Sequence, residues 1–315
     1  MKSIHMQSWL RAAVAAAIVV VPAASALAHP GASIAVDRRG NVYFVDTARG
    51  VWKIDAAGSL TFVGGSGFHW LALDESNRFA KFDRRTAQDE IHPLSISSPT
   101  ILISSDYPVA IVGDGLYFAP FRRQPLRLVK ASPAGAMDDI AIVPATDKQP
   151  GVQWINGLTA GADGTLYASL DDAIVRIAAD RKVTFLARNV KPADCAGGQT
   201  LDAPPGPYLR GLAVDASGTV YAASTGCHAV LKISPAGAVT TVLRADGGWS
   251  PTAVALFNGD VYVLEYDHSA GQRERSWPPR VRKLSADGDV KTLATISRDR
   301  DARFPDQELP FVEGH

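Results

Sequence analysis

Apolar residues along this chain come in short runs broken by glycine-centred turns, and one arrangement of runs and turns recurs. Its clearest form begins at Gly211, as GLAVDASGTVYAASTGCHAVLKISPAGAVTTVL. A small apolar strand comes first, and a tight turn closed by glycine follows. A second strand then carries an aromatic, and a third ends in a basic-then-apolar pair. A second glycine turn leads into a fourth strand rich in Val, Thr and Leu. Short apolar runs bounded by turn residues at this spacing predict antiparallel β-strands, not helices.

The same pattern starts at Ser33, Gly157 and Thr252, and in degraded form at His69 and Val109. The turn glycine is read at Gly40, Gly115, Gly164, Gly218 and Gly259, and the marker aromatic at Tyr43, Tyr117, Tyr167, Tyr221 and Tyr262. Lys53-Ile54, Arg176-Ile177, Lys232-Ile233 and Lys283-Leu284 supply the basic-then-apolar pair. The markers fall roughly 40–50 residues apart, a propeller period. The longer gap from Tyr43 to Tyr117 holds two blades, with Phe79-Ala80 as the degenerate second strand of the one between. A lone blade cannot bury both of its faces, so the copies must stack around an axis. The expected fold is all-β: a six-bladed β-propeller of four-stranded antiparallel blades.

Composition narrows the setting. The 32 basic side chains are balanced by 32 acidic ones, which argues against a nucleic-acid binder. Lys2, His5 and Arg11 precede an apolar run from Ala12 to Val21, and Ala26-Leu27-Ala28 is a small-x-small cleavage signal. Residues 1–28 thus read as a signal peptide and 29–315 as the propeller. The apolar run is about 10 residues, short of the roughly 20 that span a bilayer. A periplasmic or secreted monomer with no membrane span after leader cleavage is expected. Cys195 and Cys227 fall in one blade, and in an oxidising compartment they are expected to pair; two separate thiols are the alternative.

Candidate chemistry follows from the register. The first strand of each blade lines the central channel, and the residues just before and at its start ring the channel mouth. Ser33, His69, Tyr107, Asn156, Arg210 and Thr252 hold that position, with Trp70, Trp154, Tyr208 and Trp249 beside them. The expected ligand site is a mouth lined by His69, Tyr107, Trp154, Asn156, Arg210, Trp249 and Thr252, aromatic walls with a few convergent polar groups. Arg210 reads as an anion binder or as the ion-pair partner of Asp202 or another blade's acid. His69 reads as an acid/base or ligand, or as a hydrogen-bonded structural histidine. With His228 and His268 it would make a three-histidine zinc site. Two long insertions, 191–207 and 267–279, carry function, cover the channel or are plain solvated loops. Neither a G-x-S-x-G elbow, a P-loop nor H-E-x-x-H occurs.

The run from Gly211 to Tyr221, G-L-A-V-D-x-x-G-x-V-Y, resembles NHL-repeat propellers and, more loosely, the SMP-30/gluconolactonase superfamily. The resemblance covers nearly the whole mature chain. It implies the propeller and leaves binding, scaffolding, hydrolysis and lyase chemistry open. Trp154-Ile155-Asn156-Gly157-Leu158 resembles the Asn-Gly-Leu motif of gluconolactonase-like enzymes, which implies Asn156 as a metal ligand and a divalent cation, calcium or zinc, as cofactor. Two departures stand against it. Arg210 holds the place of those enzymes' aspartate, and Gly31-Ala32-Ser33 that of their first-blade glutamate. A guanidinium cannot ligate a cation, and hard cations want several oxygen ligands. A turn-forming amide ahead of Gly157 is the competing reading of Asn156. Two functions follow: a binding module that takes a small anion, a sugar or a protein partner at the mouth, or a metal-dependent hydrolase or lactonase. The residues themselves firmly imply no cofactor.

Overall fold

Strands too short to bury themselves alone build six antiparallel sheets of four, one for each copy of the repeat. The computed structural model describes residues 31–297 apart from 48, 66–67, 87–88, 106, 121–124, 144–154, 196–205 and 270–276, so the leader reading lies outside the described residues. Blade one comprises β1 (Ile34–Val36), β2 (Val42–Asp46), β3 (Gly50–Ile54) and β4 (Leu60–Gly64). Blade two comprises β5 (Trp70–Asp74), β6 (Arg84–Arg85), β7 (Glu90–Ser95) and β8 (Thr100–Ser104), and blade three β9 (Val109–Val112), β10 (Gly115–Phe118), β11 (Arg127–Ala131) and β12 (Met137–Ile142). Blade four comprises β13 (Gly157–Ala160), β14 (Leu166–Ser169), β15 (Ala173–Ile177) and β16 (Val183–Arg188). Blade five is β17 (Leu209–Val214), β18 (Val220–Ser224), β19 (Ala229–Ile233) and β20 (Val239–Arg244); blade six is β21 (Trp249–Phe257), β22 (Asp260–Asp267), β23 (Pro279–Leu284) and β24 (Val290–Thr295). The inner strands β1, β5, β9, β13, β17 and β21 stand side by side around a central channel.

Each part of the repeat has a physical reason. The marker tyrosine pairs across the sheet with a small inner-strand residue and with the basic residue of the third strand, as in Tyr43 with Ala35 and Lys53, or Tyr221 with Ala213 and Lys232. Lys130, Lys232 and Lys283 lie 6.0, 5.7 and 5.9 Å from the ring centres of Tyr117, Tyr221 and Tyr262. Such cation–π pairs contribute about 0.5–1 kcal/mol each at exposed sites. The aspartate after the inner strand holds the turn. Asp215 accepts the Ser217 and Thr219 N–H groups at 2.8 and 3.0 Å, and Asp37 accepts those of Arg39 and Asn41, both at 2.9 Å. The turn glycines take a left-handed backbone, with φ of 82° at Gly40 and 80° at Gly218. In blade three that role falls to Gly113, φ 56°, and Gly115 instead opens β10.

Blade two departs from the expected order. Its strands lie β5-β8-β7-β6 from the channel outward, so the second position is filled by the last strand in sequence. Phe79 is not in a strand; it is a fully buried turn residue. The Asp74 carboxylate accepts the Phe79 N–H at 2.7 Å, and Asn77 Oδ1 accepts the Thr100 N–H at 2.8 Å. Together they curl the chain after β5 and seat β8 beside it. Every residue of β8, Thr-Ile-Leu-Ile-Ser, is buried, as a β-branched central strand should be. The outer strand β6 has two residues and covers only Glu90 and Ile91 of β7. Pro93 and an irregular register blunt the rest of that edge against foreign strands.

The ring closes by packing, since every blade is one contiguous segment. Phe44, Trp52 and Ile54 of blade one share a core with Tyr262, Leu264 and Tyr266 of blade six. The Tyr266 hydroxyl donates to the Val45 carbonyl at 2.6 Å, across the seam.

Candidate functional site

The antiparallel order sorts the connections onto two faces. Outside blade two, the turns at the C-terminal ends of the inner strands span two or five residues. The longer connections, 119–126, 143–156, 189–208 and 268–278, all start from and return to strand ends at the opposite face, where the inner strands begin. Loops longer than the repeat requires are the usual carriers of function.

The channel encloses about 330 Å³ and is lined by the six inner strands. Each inner strand pairs on one side only, so alternate N–H and C=O groups point into the lumen. In β1, β9, β13, β17 and β21, burial gives way to partial exposure toward the short-turn face. The loop-face end is pinched. A Cβ on Gly211 would stand 2.8 Å from both Ala253 Cα and Ala32 O, and one on Gly157 would stand 2.5 Å from Arg210 O. The Gly-Leu of the repeat motif is therefore a close-approach glycine, and the expected open mouth is a constriction.

This changes where the ring residues lie. Ser33 is buried, its hydroxyl donating to Leu71 O at 2.9 Å. Thr252 is fully buried. Half-buried His69 places Nδ1 2.6 Å from Ser105 O, so Nδ1 carries the proton. Tyr107 does not line the mouth. It is buried between blades two and three, stacked on Phe118 with ring centres 5.4 Å apart. Burial, with the Asp89 charge nearby, pushes its phenol well above the ordinary tyrosine range. Tyr107 precedes β9 by two residues and its ring packs in the core with Val109, Leu116 and Phe118. Trp154 and Asp202 lie outside the described residues.

Asn156 and Arg210 are both buried at the junction of blades four and five. The Asn156 amide donates to Asp171 Oδ1 at 3.1 Å. Arg210 lies over the Tyr208 ring at 5.8 Å, and its carbonyl accepts the Ser169 hydroxyl at 2.5 Å. Among the described residues no group of three or more His, Cys, Asp or Glu stands where it would hold a metal, so His69, His228 and His268 are not brought together as a zinc site. Asn156, with an amide donor turned to its carboxylate neighbour and a guanidinium in the next blade, does not fit a divalent cation.

The best-built corner of the loop face lies over blades five and six. Cys195 is bonded to Cys227, which ends the short 3₁₀ turn Thr225–Cys227. Thr225 and Gly226 donate backbone N–H groups to Tyr208 O and Pro207 O, and the Thr225 hydroxyl donates to Pro251 O at 2.8 Å. The disulfide and these bonds tie the 191–207 insertion to both blades. Tyr208 and His228 both take left-handed backbones, with φ of 40° and 49°. The His228 Nδ1–H donates to Trp249 O at 2.9 Å, with the Ser250 hydroxyl 3.0 Å away.

Beneath Trp249 lies a cluster that sequence reasoning missed. Glu265, fully buried, accepts from Arg280 Nε and Arg282 Nη2, both at 2.5 Å. Arg280 also pairs with Asp246 and lies 4.2 Å below the Trp249 ring centre. Arg282 reaches back to Arg244 O of blade five at 3.0 Å. The available signal was a glutamate inside an otherwise apolar strand, Val-Tyr-Val-Leu-Glu-Tyr, facing an Arg-Val-Arg alternation.

No protein-family model matches the chain, and no curated protein does. The likeness to known proteins is one of fold. A streptogramin B lyase is 12% identical with a TM-score of 0.51, over 84% of this chain and 83% of that one. Virginiamycin B lyase from Staphylococcus aureus is also 12% identical with a TM-score of 0.51, over 85% of each chain. A protein from Lactobacillus plantarum is 15% identical with a TM-score of 0.47, over 82% of each. The NHL and gluconolactonase resemblance therefore rests on the repeat pattern alone.

Proposed function

We propose that the chain is an exported binding module that takes a small polar ligand on its loop face, over blades five and six. The observation that carries this reading is the pair of bulky residues in left-handed conformations, Tyr208 and His228, held there by the disulfide-linked turn. Backbone strain at non-glycine residues persists where the surroundings enforce it, and it concentrates at ligand sites. Export rests on the leader-like first 28 residues and on the disulfide, which forms and persists in oxidising compartments. No helix among the described residues is long and apolar enough to cross a membrane. The metal-dependent lactonase reading draws no support from the donor set around Asn156. The lyases that share the fold do so at an identity that transfers no chemistry.

The test is a calorimetric screen of the full exported chain against small carboxylates, neutral sugars and amines. Saturable binding that is lost in His228→Ala, with the unfolding midpoint kept, supports the module. Binding that survives in His228→Ala and Tyr208→Ala removes the site from this corner. A stoichiometric divalent ion with lactone turnover lost in Asn156→Ala would restore the hydrolase.

A further inference from the structure

We infer that the outward face of Trp249 is a stacking platform for a neutral saccharide ring; this rests on the loop-face binding reading and names its ligand class. The Arg280 guanidinium lies 4.2 Å from the indole centre, and the Arg280 side chain is only 10% exposed. Trp249 itself is half-buried. With the guanidinium over one face of the indole, the other face is the one left for a ligand.

The surrounding charges decide which ligand that face accepts. Asp246 lies three residues before Trp249 and is 75% exposed on its side chain; Asp267 is the cross-strand partner of Trp249. The Asp267 carboxylate beside the ring repels an anion, and Asp246, although paired with Arg280, adds no positive charge. Arg280 already occupies the cation–π position beneath the ring, so that attraction is taken. Arg282 is spent on Glu265 and the Arg244 carbonyl, and Arg244 on Asp194. What remains favourable is an uncharged ring with an apolar C–H face to stack and hydroxyls to bond. Asp246, Asp267 and His228 supply the hydrogen-bonding rim, and the His228 imidazole is fixed through its Nδ1–H on the Trp249 carbonyl. An indole backed by a rigid charge network is held in place before the ligand arrives, so little ordering is lost on binding.

The experiment follows indole N–H resonances of the isotope-labelled full chain, with Trp249 assigned by its loss in Trp249→Phe. The probes are glucose, N-acetylglucosamine and maltose as neutral saccharides, citrate and glucuronate as anions, and choline as a cation. The inference expects a neutral saccharide to shift the Trp249 signal saturably. Its affinity should fall about tenfold in Trp249→Ala and change little with salt. If citrate, glucuronate or choline saturates the Trp249 signal and no neutral saccharide does, the saccharide inference is overturned and the loop-face reading stands. Saccharide binding unchanged in Trp249→Ala overturns the platform. If no probe of any class moves a resonance on this face, both readings fall.

Discussion

Removing the Glu265 carboxylate tests the central electrostatic feature of blade six. The side chain is fully buried, and its two partners, Arg280 and Arg282, are 10% and 9% exposed. In Glu265→Ala, Arg280 keeps Asp246, but among the described residues Arg282 keeps only the Arg244 carbonyl, and its Nε already has no hydrogen-bond partner there. Breaking a buried pair so that one charge is left uncompensated costs about 3–5 kcal/mol. For a domain of this size that lowers the melting temperature by roughly 6–15 °C. Arg282→Met separates charge from packing. It leaves Glu265 neutralised by Arg280, keeps most of the side-chain volume and gives up two hydrogen bonds, to Glu265 and to the Arg244 carbonyl, at about 2 kcal/mol together. Calorimetric melting and urea titration of both variants give the comparison. The reasoning is refuted if Glu265→Ala costs no more than Arg282→Met, because the buried charge would then be compensated by water or by another acid.

Three further outcomes are expected. Gly211→Ala places a methyl 2.8 Å from the backbone of both Ala32 and Ala253, and should cost about 1–3 kcal/mol by urea unfolding, with loss of near-ultraviolet dichroism. Cys195→Ser should lower stability by about 2–4 kcal/mol, the loss expected when a bridge across 32 positions is removed, while the far-ultraviolet spectrum stays that of the sheet. Burial alone would raise the Asp37 carboxyl, but hydrogen bonds from Asn41, the Arg39 N–H and Tyr43 hold it below its ordinary 3.8. Its contribution is therefore present above pH 3.8 and lost as pH falls through the lower folded value, so melting curves below pH 4 should fall more steeply in the parent than in Asp37→Asn.

The repeat was legible because each of its parts answers a local requirement. Asp215 caps a turn four residues away, Gly218 supplies a positive φ, and Tyr221 meets Lys232 across one strand pair; none of these depends on distant chain. Blade two was legible in number but not in order. Whether Phe79 sits in a strand or a turn depends on Asn77 reaching Thr100, a long-range contact that no periodicity reports. The ring positions were placed at the correct end of the inner strands, yet their exposure was misjudged. A glycine beside Arg210 reads as turn or mouth in sequence, and its true role, letting three inner strands converge, exists only once the ring has closed. Tyr107, two residues ahead of β9, turns into the core between blades two and three, a contact between blades that no local pattern reports.

The left-handed backbone at Tyr208 gives the sharpest check on the proposed site, because it reverses a familiar order of substitution. At an ordinary position Gly is less stable than Ala by about 0.5–1 kcal/mol. At φ 40° the sign changes: Ala keeps the steric cost of roughly 1–2 kcal/mol that a Cβ meets in this region, and Gly does not. Both substitutions give up the same half-buried ring and its contact with Arg210 at 5.8 Å. Tyr208→Gly should therefore be more stable than Tyr208→Ala by about 1 kcal/mol, measured as a difference in urea midpoint at unchanged slope. If Ala equals or exceeds Gly, the strained backbone is not held in solution, and the loop-face reading loses the observation that carries it. If the order is as expected and both variants bind ligand as the parent does, the strain is real but serves only to seat the disulfide-linked turn. Only the expected stability order together with lost binding in both ties the strain to recognition.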